Sequence, residues 1–147
     1  MMLIARIEAE LQEARRARDD TRRDALSLIL SELRSAEKDL QRGLSELEEL
    51  QVLQRERKKR LEAAEAFRAA GRDEQADAEE DELAVLEEFM PSPLSEDELE
   101  EIIDDAIAEV GATSLRDLGR VMKDVMPQVA GRADGGAVSQ LVREKLA

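Results

Sequence analysis

Gly111-Ala-Thr-Ser-Leu-Arg-Asp-Leu-Gly119-Arg-Val-Met122 opens the last third of the chain, and Pro127-Gln-Val-Ala-Gly131-Arg132-Ala133-Asp134-Gly135 follows shortly after it. Leu115, Leu118, Met122, Val125, Met126 and Val129 recur at spacings of three and four, which predicts a helix with one buried apolar face. Gly119 interrupts that stripe. A glycine inside a helix costs about 1 kcal/mol relative to alanine, so it points to close approach by a backbone, by a ligand or, more simply, by a tightly packed helix. Gly131 suits the left-handed position that closes the segment, and Asp134 ahead of Gly135 suits the N-cap of a final helix running to Leu146.

Working outward, the composition selects an all-α fold. Charged residues make up 39% of the 147 and aromatics 1%, with three prolines, as expected for amphipathic helices joined by short turns. Folding at this length buries roughly 70% of the unfolded surface, enough for one domain or two small ones. Cysteine and histidine are both absent, which removes disulfides, thiolate or imidazole metal sites and every Cys or Ser–His nucleophile. With no signal peptide or long apolar run, the expected location is cytoplasmic, without a membrane partner.

Upstream, Leu3 to about Arg18 reads as a first helix, and a second passes through Leu26, Ile29, Leu30, Leu33 and Leu40 to end near Gly43. Ser45 with Glu48 forms a capping box for a third helix reaching about Ala70. Its stripe (Leu47, Leu50, Leu53, Leu61, Ala64, Phe67) thins between Gln54 and Arg60. Gly71 stops it, Asp73 is the expected cap of a fourth helix, and the short connection implies an antiparallel helical hairpin. Pro91-Ser-Pro93 forces extended backbone and marks the boundary between an N-terminal helical domain, 1–91, and a small three-helix C-terminal domain, 92–147. Leu94-Ser95-Glu-Asp-Glu98-Leu99 then combines a capping box with a hydrophobic staple, and Gly111 ends the helix it starts.

The tail carries a resemblance. Gly119-Arg-Val-Met122, Met126-Pro127, Gly131-Arg132-Ala133-Asp134-Gly135 and Leu141-Val142-Arg143-Glu144-Lys145-Leu146 resemble the YqeY family, whose tail is similar to that of the B subunit of glutamine-dependent aminoacyl-tRNA amidotransferase. The resemblance spans nearly the whole chain. It implies an all-helical protein whose C-terminal domain touches tRNA. An aminoacyl-tRNA synthetase or an amidotransferase is the protein partner it implies, and any carbon–nitrogen ligase role would be by association.

Charge frames the candidate sites. The chain carries a net charge of −14, which argues against general affinity for phosphate backbones. Residues 95–112 hold eight acids and no base, whereas residues 113–147 hold six bases against four acids, a balance of +2. Arg132, Arg143 and Lys145, with Lys123 and Arg120, are therefore the candidate tRNA contacts, positioned by Gly119, Gly131, Asp134 and Gly135. The plainer reading has Arg143 and Lys145 complement the last helix's dipole while Arg132 pairs with a carboxylate. The run Arg55-Glu-Arg57-Lys58-Lys59-Arg60 supplies a second patch in Arg57, Lys58 and Arg60, which face either a groove or a solvated surface paired with acids.

Catalysis is not expected. Adjacent carboxylates such as Asp104 and Asp105, or Glu100 and Glu101, diverge by about 100° around a helix. No phosphate loop, dinucleotide fingerprint, nucleophile elbow or zinc motif occurs, so no catalytic residue, metal or cofactor is assigned. A non-catalytic tRNA accessory protein leads. A helical protein-interaction module is the alternative, and a hydrolase would require carboxylates converging in a pocket.

Overall fold

The computed structural model describes residues 2–147, and within them seven α-helices and one 3-10 turn account for all regular structure. The helices are α1 (Met2–Arg16), α2 (Asp20–Leu40), α3 (Glu46–Ala69), α4 (Asp73–Glu87), α5 (Glu96–Val110), α6 (Leu118–Val129) and α7 (Gly135–Leu146). The turn, Leu115–Asp117, leads into α6. The chain is all-α, as its composition requires. Two compact units divide it, one ending at Met90 and the other Pro91–Ala147.

In the first unit the core gathers Ile7, Leu11 and Ala14 of α1, Leu26, Ile29 and Leu33 of α2, Val52 and Leu53 of α3, and Leu83 and Leu86 of α4. Ion pairs fix how α3 and α4 run. Arg57 bonds Glu87 at 3.2 Å, Arg60 meets Glu82 at 3.3 Å and Glu79 at 3.0 Å, and Arg68 reaches Glu80 at 2.8 Å and Asp77 at 2.7 Å. Partners descend along α4 as residues ascend along α3, so the pair is an antiparallel hairpin. At the other side of the unit, Arg22 bonds Glu88 at 2.7 Å, and Arg6 stacks 4.6 Å from the Phe89 ring centroid.

Three local expectations change in this unit. The buried line of α3 runs through Glu49, Val52, Leu53, Glu56 and Ala64, while Leu61 is 42% exposed. The expected leucine stripe is thus interrupted by buried carboxylates, of which Glu56 is held by Lys59 and Arg60 of the same helix. Helix α2 stops at Leu40 instead of near Gly43, because Gln41 takes the left-handed C-cap with φ 58° and donates its N–H to the carbonyls of Glu37 and Lys38. Asp73 is the first helical residue of α4 and not its cap; Arg72 occupies the cap without a side-chain bond. Elsewhere the capping logic holds. Ser45 and Glu48 bond reciprocally, and with Arg42 beside it at 2.8 Å the Glu48 carboxyl is held down to about 2.

The second unit is built on α6. Val121, Val125 and Val129 repeat every four residues, as do Val138, Val142 and Leu146 of α7, and both lines close on Ile103 and Ala106 of α5. Leu115 departs from the stripe predicted for it: it is 51% exposed. The 3-10 turn has three residues per turn instead of 3.6, which rotates Leu115 off the apolar face. Leu118, Met122 and Met126 lie half-buried at the core's edge. Ser95 and Glu98 complete the capping box of α5, and Gly111 closes that helix at φ 68°.

Candidate nucleic-acid interface

The cations of the second unit divide by what holds them. Arg120 bonds Asp117 at 3.0 Å and donates to the Val110 carbonyl, clamping the 3-10 turn to the end of α5. Asp117 also accepts the Thr113 N–H at 2.9 Å; that bond first, then its other donors, holds its carboxyl below the usual range. Arg132 donates to the Ser92 carbonyl at 2.8 Å, and its own carbonyl accepts the Leu94 N–H at 2.9 Å. The Pro91–Pro93 segment is thereby laced to the turn around Gly131, whose φ is 70°. Glu98 lies 4.0 Å from the same guanidinium. Lys145 bonds Asp104 at 2.9 Å, tying α7 to α5, and this hydrogen bond raises its pKa. These three cations are employed inside the unit.

Lys123 and Arg143 are different. Both are exposed, and among the described residues neither pairs with a carboxylate; Arg143 reaches the Ser139 hydroxyl at 3.5 Å. Arg116, counted in the sequence but not singled out there, is likewise exposed and has no carboxylate partner among the described residues. Lys123 lies on the side of α6 opposite Val121 and Val125, and Arg116 lies in the 3-10 turn that leads into that helix.

The glycines separate in the same way. Gly131 needs its left-handed backbone, and Gly135, behind the Asp134 N-cap, lies against Met126, whose Cε would sit 3.5 Å from an added Cβ. Gly119 is in neither position. It is exposed at the second position of α6, and a Cβ there would meet nothing within 4 Å. Close packing within the chain, the plainer expectation for this residue, is not its explanation.

The second patch is largely absorbed by the hairpin. Arg57 is committed to Glu87, Lys59 bonds Glu56 at 3.0 Å, and Arg60 lies among Glu56, Glu79 and Glu82. Glu82 is raised by its burial, although Arg60 opposes this. Lys58 is exposed on the outer side. Between α2 and α3 lies a cleft of about 260 Å³ bordered by Glu32, Asp39, Arg55, Glu56 and Lys59. It mixes both signs of charge, and its one deeply buried carboxylate, Glu56, is held by Lys59 and Arg60.

The profile of the YqeY-like proteins matches residues 4–146. The chain belongs to the YqeY family. A protein of the fission yeast Schizosaccharomyces pombe, described only as uncharacterized, is 33% identical over 93 residues, which cover 63% of this chain and 76% of its own. Among the described residues no helix of this YqeY protein is long and apolar enough to cross a membrane.

Proposed function

We propose that this YqeY protein is a non-catalytic, cytoplasmic accessory factor of tRNA-dependent aminoacylation or amidation, with its C-terminal unit as the tRNA-facing part. One observation carries the reading. In the stretch with a positive balance of charge, Arg116, Lys123 and Arg143 are exposed and have no carboxylate partner among the described residues, whereas Arg57, Lys59 and Arg60 of the other basic run are neutralised by acids of their own hairpin. Free cations on a helical surface bind phosphates by displacing their counterions, and the acidic remainder of the chain disfavours any other orientation. Arg120, Arg132 and Lys145 act as positioning residues, since each already spans two segments of the unit. The absence of histidine and cysteine supports a binding role over a catalytic one. Any association with a synthetase or amidotransferase would deliver the bound tRNA to a catalyst carried elsewhere.

Fluorescence anisotropy with purified, labelled tRNA at low salt tests this. The intact chain binds saturably, the Arg116→Ala/Lys123→Ala/Arg143→Ala variant loses most of that affinity, and an Arg57→Ala/Lys58→Ala variant keeps it. Equal binding by all three would remove the C-terminal unit from the proposal, and no binding by the intact chain would leave a protein partner as the object of search.

A further inference from the structure

Gly119 has no reason to be glycine within this chain. Its backbone is ordinary helix and not left-handed, and a side chain there would project into open space. Alanine would be the better helix former, so the residue weakens α6 without serving its packing. Around it the solvent side of α6 forms a strip on which Gly119, Lys123 and Pro127 recur every four residues, all three exposed. Among the described residues Arg116 and Lys123, both exposed, have no carboxylate partner, and Leu115 stands 51% exposed in the turn that leads into α6.

From this arrangement we infer that the ribose–phosphate backbone of tRNA lies directly on α6 across Gly119, an inference that rests on the tRNA reading above. Each feature meets one part of such a strand. Arg116 and Lys123 meet phosphates of that strand. Gly119 removes the side chain that would otherwise hold the strand off the helix by about the width of a methyl group, and Leu115 packs against a sugar face. A cationic strip with no side chain at Gly119 suits a polyanion's backbone better than an acidic helix, which would need pockets for its own side chains. The recognition is of backbone shape and not of base sequence.

Gly119→Ala in the full-length chain, with Gly119→Leu as a bulkier companion, isolates the contact because neither removes a charge. Alanine should fold with an equal or higher Tm, and each variant should bind labelled tRNA about tenfold or more weakly. The slope of affinity against salt should stay at the wild-type value, since no phosphate contact is deleted, while Lys123→Ala should lower it by about one. Wild-type affinity in both glycine variants would overturn the inference and leave the proposed function standing. A loss of affinity accompanied by a lowered Tm in both variants would assign Gly119 to the fold and overturn it as well. Absence of tRNA binding by the unaltered protein would overturn both.

Discussion

Replacing Arg60 with alanine probes the ionic seam that joins α3 to α4. Its guanidinium, 18% exposed, faces Glu56 at 3.5 Å, Glu79 at 3.0 Å and Glu82 at 3.3 Å. Removing it leaves three carboxylates together, one of them 4% exposed with Lys59 as its remaining cation. Breaking one side of a fully buried pair costs about 3–5 kcal/mol, and the partial exposure of Glu79 and Glu82 reduces this to about 2–3 kcal/mol. The pH dependence has a definite sign. Glu82 is raised in the folded state by burial, so the folded form binds its proton more tightly than the unfolded chain does. Its contribution is favourable at acid pH and is lost as pH rises through the folded value. Without Arg60 to oppose that shift, the effect grows, and the deficit of the variant should shrink between pH 7.5 and 5. Urea unfolding followed by far-UV circular dichroism measures it, since the chain has no tryptophan or tyrosine to report tertiary packing. Arg60→Met, which keeps the apolar stem, should lose nearly as much. A deficit below about 0.5 kcal/mol, or one that does not change with pH, would refute the seam as a source of stability.

Other perturbations read single features. Gln41→Gly relieves a left-handed residue at the end of α2 and should stabilise the chain by about 0.5–1 kcal/mol in the same urea titration. Ser95→Ala removes the hydroxyl that caps α5 and should cost about 1 kcal/mol, with Ser95→Thr recovering most of it. Val125→Ala opens a cavity at the fully buried centre of the second unit and should cost about 2–3 kcal/mol, visible as a lower unfolding midpoint. Glu48, depressed to about 2 by Arg42 and the Ser45 cap, contributes stability that is complete above the ordinary carboxylate range and lost as pH falls toward 2. Glu48→Gln should therefore abolish the part of the acid-induced loss that this group carries.

What could be read in advance follows from what each signal depends on. The helix starts at Ser45 and Ser95 were legible because a capping box is local: four residues contain both its bonds. Gly111 and Gly131 were legible for the same reason, as left-handed positions that glycine fills without strain. The end of α2 was not, because Gln41 adopts that conformation against its preference, and only the packing around it decides so. The α3 stripe misled because periodicity counts apolar residues, whereas α3 buries Glu49, Glu56 and part of Arg60, and the α4 partners of Arg60 begin 19 residues away. Leu115 was misplaced by a change of helical pitch that composition does not encode. Among the candidate contacts, the sequence located the basic segment but could not sort its members. Arg120, Arg132 and Lys145 are set apart from Arg116, Lys123 and Arg143 by bonds to Val110, Ser92 and Asp104, and those depend on the fold. The resemblance of the tail, by contrast, rested on an ordered set of motifs, and the family match over residues 4–146 agrees with it.

The most direct test of the central claim is the slope of log affinity for tRNA against log salt concentration, measured by anisotropy on the unaltered protein and on the Arg116→Ala/Lys123→Ala/Arg143→Ala variant. The account predicts a clearly negative wild-type slope that the triple variant flattens by about 2–3, close to one per deleted phosphate contact. An unchanged slope in the variant, or binding that salt does not weaken, would contradict it.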